Sequence, residues 1–479
     1  MPQAAVWWEK PGGLPDEEPG AAAGHKNARV HGDPKSAEVR PAQNVFKRQT
    51  GNPPLHEGIQ VVGPRRGSHQ QPGFLLCEDA AGRPKPGDDG GPGRRKDRHA
   101  KDPLCAAGAG SLMLPKWQDG TMAPKRTASE APLPVPASAI PSNELIWTGC
   151  YTANGGGRGA GIGALNAGAD GTLRWLGVAA AADSPSFLAV HPSLDVVYAV
   201  GEAARTLRAY RRSGDFGLEP AGPDWPAGDA ACHVAVDPQG RFLVVACWGD
   251  GQILLYELDH DGGITARFAA AASIVPGRPS RAHASLMLDD GRVMTTDLGH
   301  DLVRVWDYAP SQGLRLDHEV TLPRDCGPRH LVQHPGGSVL VVTEYSIEVA
   351  VVQPSRESGT FTLTGIFPAT SGGARPGDSA AEIALAADGR HAYVGVRGSN
   401  RIGVLEVDRG GGVLRPLADV PSGGDWPRHH LVRNGWLHVA HERSGDVVTY
   451  ALDPASGLPG AAVGRAELAS PTALIPARP

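Results

Sequence analysis

The stretch GPRHLVQHPGG, from Gly327 to Gly337, is one of seven short apolar segments that recur along the last two-thirds of the chain. The others are SPSFLAVHP from Ser184, ACHVAVDPQG from Ala231, AHASLMLDDG from Ala282, AEIALAADGR from Ala381, PRHHLVRNG from Pro427 and SPTALIPA from Ser470. Aligning the seven at Phe187, His233, Ser285, His330, Glu382, His429 and Ala473 gives steps of 46, 52, 45, 52, 47 and 44 residues. Short strands that recur with a period of about 40–50 residues predict the blades of a β-propeller.

The sequence between these segments is also strand-like from Leu145 onward. Runs such as VVYAVGE, TLRAYRR and FLVVACW are rich in β-branched and aromatic residues and end at Gly, Pro, Asp or Asn. Each repeat holds about four such runs, which is the content of one propeller blade. LIWTGCYT from Leu145 resembles the second strand of a unit, whereas SPTALIPA from Ser470 supplies only a first strand. We therefore predict an all-β, seven-bladed propeller in which the C-terminal strand completes the first blade and removes both open sheet edges.

The first part of the chain has a different composition. Residues 1–142 are crowded with Gly, Pro and charged residues and show no sustained apolar period. Such a segment cannot bury enough surface to offset its ordering entropy, so we predict a disordered extension, followed by the propeller at 143–479. Two alternatives stay open. The RRKDRHAK cluster from Arg94 is also typical of a nucleic-acid-binding or targeting tail, and translation could begin at Met122 instead.

Bulk properties exclude several classes of function. A net charge of −5 over 479 residues gives no electrostatic case for a nucleic-acid partner. The six cysteines form no C-x-x-C pair, and the N-terminus MPQAAVWWEKPGG lacks the apolar core of a signal peptide. No apolar run reaches the roughly 18 residues that a membrane span needs. We therefore expect a cytoplasmic protein with reduced thiols, no membrane contact, no metal site and no cofactor.

Charged residues and histidines recur where the first strands enter the central channel. These are His233, His283, Arg329 with His330, Glu382, and Arg428 with His429, joined by Glu202, Glu344 and Arg397 from second strands and by Asp297 from the motif TDLGHD. Guanidinium groups suit the recognition of a carboxylate or phosphate, and a histidine beside a glutamate can activate water. The structural alternatives are that His191, His233 and His334 cap turns and that Arg329 and Arg397 form interstrand salt bridges.

Several of these motifs together resemble a known family. They are GCYT at Gly149, SPSFLAVHP at Ser184, DLGHD at Asp297, GPRHLVQHP at Gly327, TEY at Thr343, RGSNRI at Arg397 and GGDWPR at Gly423. Over about residues 145–479 the chain is similar to the seven-bladed lactonase family, which includes bacterial propeller-type 6-phosphogluconolactonase and fungal carboxy-cis,cis-muconate cyclase. The resemblance implies catalytic roles for His283, Arg329, Glu344 and Arg397. Two positions depart from the family pattern: Arg281 replaces the first histidine of an H-x-H pair, and Cys150 replaces the Thr of G-T-Y-T.

The resemblance and the residues together predict a lactone hydrolase, with 6-phosphoglucono-1,5-lactone as the favoured substrate. Either His283 or Glu344 would be the general base, and Arg329 and Arg397 would bind the anion and stabilise the oxyanion. His330, Arg428, Asp297 and His233 are predicted to bind a small lactone that carries a phosphate or carboxylate. The alternatives are a lactone-forming cycloisomerase of the carboxymuconate type and a non-catalytic platform for protein interactions. The oligomeric state stays open.

Overall fold

The computed structural model describes residues 144–477, which form seven antiparallel sheets arranged as the blades of a propeller. The predicted all-β, seven-bladed architecture is therefore confirmed. The only helical segment with more than one residue in the described range is the short 3-10 turn Ala153–Gly155. The predicted extension, residues 1–142, lies outside the described residues, so its boundary with the propeller stays a prediction.

The blades follow one another along the chain. The innermost strand of each blade is its first in sequence, except in the first blade, where it is the C-terminal strand of the chain. The first three blades contain β1 (Leu145–Cys150), β2 (Gly161–Ala167), β3 (Leu173–Ala181); β4 (Pro185–Val190), β5 (Val196–Gly201), β6 (Thr206–Ser213), β7 (Gly217–Pro220), β8 (Trp225–Pro226); β9 (Ala231–Val236), β10 (Phe242–Cys247), β11 (Ile253–Leu258) and β12 (Ile264–Ala269). The next two contain β13 (Ala282–Met287), β14 (Val293–Asp297), β15 (Leu302–Ala309), β16 (Gly313–Thr321); β17 (Pro328–Gln333), β18 (Val339–Thr343), β19 (Glu348–Pro354) and β20 (Phe361–Pro368). The remaining strands are β21 (Ser379–Leu385), β22 (His391–Arg397), β23 (Arg401–Val407), β24 (Leu414–Pro421); β25 (Pro427–Arg433), β26 (Trp436–His441), β27 (Asp446–Leu452), β28 (Pro459–Glu467) and β29 (Pro471–Pro476).

The ring closes through the last strand. β29 pairs antiparallel with β1, so the first blade has the order β29-β1-β2-β3. Trp147 faces Ile475 and Thr148 faces Leu474 in this ladder. Thr472 Oγ1 also donates a hydrogen bond of 2.8 Å to the carbonyl of Ser186 in the second blade. The predicted closure by the C-terminal strand is confirmed.

Apolar side chains fill each of the seven contacts between neighbouring blades. Trp147 and Leu188, for example, pack between the first and second blades, and Ile146 packs with Val447 and Leu474 between the first and the seventh. The other five contacts have equivalent clusters. Because apolar side chains cover both faces of every blade, polar side chains lie mainly at the channel and at the outer rim.

Every innermost strand carries a β-bulge at the same point near its start. Two consecutive residues face one residue of the second strand, as Arg329 and His330 face Val342. The seven pairs are Ser186–Phe187, Cys232–His233, His283–Ala284, Arg329–His330, Ala381–Glu382, Arg428–His429 and Thr472–Ala473. This register corrects one position of the sequence alignment, because Ala284 rather than Ser285 is equivalent to His330. A bulge re-aims the side chains that it carries, and here it does so around one axis.

Candidate active site

The channel site is built from two sets of equivalent positions, which we call the bulge ring and the turn ring. The bulge ring contains the first residue of each bulge: Ser186, Cys232, His283, Arg329, Ala381, Arg428 and Thr472. The turn ring is defined from the residue that immediately precedes each bulge and its partner on the neighbouring strand. It contains the residue that follows that partner: Tyr151, Glu202, Trp248, Leu298, Glu344, Arg397 and Glu442. Because the paired strands are antiparallel, both rings lie on the same face of the propeller.

A narrow cavity on the axis is lined almost entirely by the bulge pairs. Its walls are Ser186, Phe187, Cys232, His233, His283, Arg329, His330, Glu382, Arg428, His429 and Thr472. Five of the eight residues predicted for the site therefore meet here: His233, His283, Arg329, His330 and Arg428. Glu344 and Arg397 do not line the cavity: Glu344 contacts Arg329, and Arg397 contacts Glu344. Asp297 does not line it.

Glu344 lies between two buried arginines. Its Oε2 is 3.0 Å from Nε of Arg329 and 3.2 Å from Nη2 of Arg397. Ser379 Oγ donates a further hydrogen bond of 3.1 Å to Oε1 of Glu344. All three charged side chains are at least nine-tenths buried, so the group carries one net positive charge in a medium where charges act strongly. The salt-bridge interpretation of Arg329 and Arg397 is thus confirmed, and it does not exclude a role in catalysis.

Arg397 is fixed by backbone as well as by charge. Its Nε and Nη2 donate to the carbonyls of Ser379 and Ala380, at 3.2 and 2.9 Å. Burial and the neighbouring charge of Arg329, opposed by Glu344, lower the pKa of Arg397 to about 10, so it remains a cation at neutral pH. Arg329 donates in the same way to the carbonyl of Ala381. The two guanidiniums are therefore preorganised, as anion recognition requires.

His283 is the histidine of the bulge ring. Burial, and after it the charges of Arg329 and other cationic neighbours, holds the pKa of His283 well below its ordinary value. The imidazole is consequently neutral at neutral pH. Its Nδ1 is buried and has no hydrogen-bond partner among the described residues. A neutral, unpartnered ring nitrogen beside two arginines can accept a proton.

The second residues of the bulges form the floor of the cavity. His330 Nδ1 is 2.6 Å from Oε2 of Glu382, and His429 Nε2 is 3.7 Å from the same oxygen. The ring of Phe187 packs against His233 with centroids 4.2 Å apart and against His429 at 5.7 Å. Burial raises the pKa of Glu382, and it lowers the pKa of His429 to about 4. These side chains mainly contact one another, so they close the channel beneath the bulge ring.

The wall opposite Glu344 contains a second charged group that the sequence analysis only partly identified. Arg428 Nη1 is 3.1 Å from Oε2 of Glu442, and Nη2 donates to the hydroxyl of Tyr151. The Tyr151 hydroxyl in turn donates a bond of 2.9 Å to Oε2 of Glu202. Tyr151 and Glu442 were not predicted. They stand at the same repeat position as Glu202 and Glu344, so extending the alignment to that position would have found them.

Other predicted residues have structural roles. Asp297 accepts hydrogen bonds from Arg304 Nη1 at 2.7 Å and from the backbone of Arg281 and His300, so it supports a turn of the fourth blade.

The prediction that histidines cap turns is confirmed for two of them. His191 Nδ1 accepts from the backbone of Leu194, and His334 Nδ1 accepts from that of Gly336.

The departure at Arg281 has a simple structural account. Its guanidinium carbon lies 4.3 Å from the centre of the Trp248 ring, and Nη1 donates to the carbonyl of Trp248 at 3.2 Å. The side chain therefore packs against the neighbouring blade and leaves His283 as the histidine of that motif. Cys150, the other departure, donates through Sγ to the carbonyl of Gly161 at 3.0 Å.

Within residues 144–477, no group of three or more His, Cys, Asp or Glu side chains has an arrangement that could hold a metal ion. None of the helical turns described there is long and apolar enough to cross a membrane.

Comparison with known proteins gives a consistent set of relatives. The family model described as Lactonase, 7-bladed beta-propeller matches residues 145–476. The 6-phosphogluconolactonase of Bacillus subtilis is 26% identical over 293 residues, which cover 58% of this chain and 83% of that protein. The 6-phosphogluconolactonase of Formosa agariphila is 25% identical over 297 residues, covering 57% and 82%. The structure of a periplasmic gluconolactonase from Pseudomonas aeruginosa superposes with a TM-score of 0.63 at 25% identity, covering 69% of this chain and 98% of that one.

Proposed function

The chain belongs to the seven-bladed β-propeller lactonase family, and from this premise we propose that it hydrolyses the cyclic ester of a sugar lactone. The observation that carries the proposal is the neutral imidazole of His283, whose Nδ1 has no partner among the described residues, in the same cavity as Arg329. The names of the curated relatives make 6-phosphoglucono-1,5-lactone the first substrate to test.

The proposed reaction begins with attack of water on the lactone carbonyl. His283 takes the proton from the water, and the carbonyl oxygen becomes an oxyanion that Arg329 and Arg397 stabilise. The bond between the carbonyl carbon and the ring oxygen then breaks. The imidazolium of His283 returns its proton to that ring oxygen, so the products are a hydroxyl and a carboxylic acid, which ionises.

Glu344 is proposed as a positioning residue, whereas the sequence left it open as the base. Its carboxylate already contacts two guanidiniums and a serine hydroxyl, so protonation there would break a buried ion group. Protonation of His283 at Nδ1 breaks no ion pair, because that nitrogen has no partner among the described residues. This contrast supports His283 as the base and Glu344 as the group that holds Arg329 and Arg397 in place.

The cycloisomerase alternative receives less support from the charges. A carboxymuconate carries three carboxylates, but Arg329, Arg397 and Arg428 each already contact a glutamate carboxylate. A trianion would therefore meet little uncompensated positive charge. A non-catalytic platform, the other alternative, gives no reason for a neutral histidine to share a channel cavity with Arg329 and Arg428.

The test is hydrolysis by the full-length protein of 6-phosphoglucono-1,5-lactone, glucono-1,5-lactone and δ-valerolactone, followed by acid release in a pH-stat. We expect turnover above the spontaneous rate with at least one sugar lactone, and a loss of about 100-fold in kcat/KM for His283→Gln. His260→Gln, a change at an exposed histidine on the rim, serves as the control. Natively folded protein with no rate above the spontaneous one on any of the three lactones would refute the proposal.

A further inference from the structure

The Tyr151 side of the channel mouth has an organised hydrogen-bond network that the proposed reaction does not use. Arg428 lines the same cavity as His283, and it contacts Glu442 and Tyr151 at once. The Tyr151 hydroxyl donates a hydrogen bond to Glu202. Glu442, Tyr151 and Glu202 come from the seventh, first and second blades in order, so they form one continuous arc of the turn ring.

The direction of these hydrogen bonds is fixed by chemistry. A guanidinium can only donate, so Arg428 donates to the phenolic oxygen and the phenolic proton is directed to Glu202. Burial and the carboxylates of Glu202 and Glu442, opposed by Arg428, hold the pKa of Tyr151 well above its ordinary value, so the phenol stays protonated. The contacts use Oε2 of each glutamate. A carboxylate has two oxygens and about four acceptor sites, so each retains capacity to accept from a ligand.

The two sides of the mouth differ in charge. Arg329, Arg397 and Glu344 sum to one positive charge, whereas Arg428, Glu202 and Glu442 sum to one negative charge. The histidines between them are neutral because burial lowers the pKa of His283, and of His330 to about 3. A developing oxyanion is favoured on the Glu344 side. Hydroxyl groups, which donate to carboxylates, are favoured on the other side.

We infer that Tyr151, Glu202, Arg428 and Glu442 form a hydroxyl-recognition subsite, which binds the ring hydroxyls of a sugar lactone and turns its carbonyl toward Arg329 and Arg397. This inference rests on the proposed function and adds the substrate class that the site selects: lactones with vicinal hydroxyls over unsubstituted ones. Sites built to accept hydrogen bonds from substrate hydroxyls discriminate strongly against analogues that lack them, because their polar groups are then left unpaired.

The kinetic test compares glucono-1,5-lactone with δ-valerolactone, which has the same ring and no hydroxyls. We expect the ratio of kcat/KM for the two lactones to fall by about 10- to 100-fold in Tyr151→Phe and in Glu202→Gln, the loss of hydrogen bonds to a charged group. Glu406→Gln makes the same chemical change on the exposed outer part of a blade and leaves the ratio as in the parent protein. An unchanged ratio in the Tyr151 and Glu202 variants, or an equal loss with both lactones, overturns the inference.

A binding measurement separates this inference from the proposed reaction. The probes are D-glucono-1,5-lactam, a stable amide analogue with the sugar hydroxyls, and the unsubstituted δ-valerolactam, titrated calorimetrically into full-length protein. We expect only the hydroxylated lactam to bind, about 10-fold or more weaker in Tyr151→Phe. If the protein binds it in this manner but hydrolyses no lactone, the proposed function fails and the subsite stands. If the two lactams bind alike or neither binds, the subsite is overturned.

Discussion

The pKa of His283 is determined by the surroundings of its imidazole ring. A histidine in water has a pKa of about 6.5 and is partly charged at neutral pH. Here burial comes first and the charge of Arg329 second among the causes that hold the pKa of His283 well below that value. The base is therefore in its active form over the whole neutral range.

The low pKa of His283 predicts how activity depends on pH. On the acid side of the profile, kcat/KM should fall to half its maximum at a pH below the ordinary histidine pKa, because activity is lost only as the pH falls through the depressed pKa of His283. Arg329→Gln removes one cause of the depression and should raise the pKa of His283. Its Cε1–H signal, assigned by comparison with His283→Gln and followed by NMR from pH 8 to 4, measures the value directly. A pKa of about 6.5 or above in the parent protein would contradict the assignment.

At the scale of strands, much of the site could be predicted because the repeat survives in the sequence. GPRH, TEY and RGSN each mark one blade, and the structure joins Arg329, Glu344 and Arg397 as those motifs indicated. The contact of Tyr151 with Arg428 could not be predicted, because it joins residues 277 positions apart, across the closure of the ring. Spacing within one blade cannot reveal a contact between the ends of the chain.

The prediction for Asp297 shows a different limit. A carboxylate after an apolar strand can face the channel or support a turn, and both choices produce the same sequence pattern. In the structure, Asp297 forms a buried ion pair with Arg304 of β15, in which Oδ2 of Asp297 lies 2.7 Å from Nη1 of Arg304. Only the position of that partner decides between the two.

Strand β29 is the element on which closure depends, and its removal gives a test. A protein that ends after Ser470 loses the burial of Leu474 and exposes the edge of β1. We expect the melting temperature to fall by roughly 4–20 °C, given about 2–5 kcal/mol for one buried leucine and about 2–4 °C per kcal/mol. Size-exclusion chromatography should also show self-association through the open edge.

A synthetic peptide of residues 470–477 should restore part of the lost melting temperature by pairing with β1, as added strands do at open sheet edges. The same residues in scrambled order are the control. If the shortened protein melts at the parent temperature and stays monodisperse, then closure by β29 contributes little to stability.

Over the whole molecule, imidazoles occupy many buried positions that a typical core gives to apolar side chains. His429 lines the channel cavity, His430 contacts β22 of the sixth blade, and His438 and His441 lie in β26 of the seventh. Each makes a local hydrogen bond; His430 Nε2, for example, lies 3.0 Å from the carbonyl of Tyr393. Burial disfavours the charged form of each ring, so the fold has been assembled around neutral histidines.

Acidification should therefore unfold the propeller before its carboxylates are titrated. Burial, the largest cause, lowers the pKa of His429, His430, His438 and His441 to about 4. In the unfolded chain these rings bind protons near pH 6.5, so between about 6.5 and 4 the unfolded state binds more protons than the native one and stability falls as the pH falls. Calorimetry at pH 7, 6 and 5 should show a steadily decreasing melting temperature.

The same measurements give the number of protons that the protein takes up on unfolding near pH 5. This number should drop by about one proton per molecule in His430→Gln and stay constant in the exposed-site variant His260→Gln. A melting temperature independent of pH over this range would contradict the prediction, because it would mean that the buried histidines bind protons in the native state as readily as in the unfolded chain.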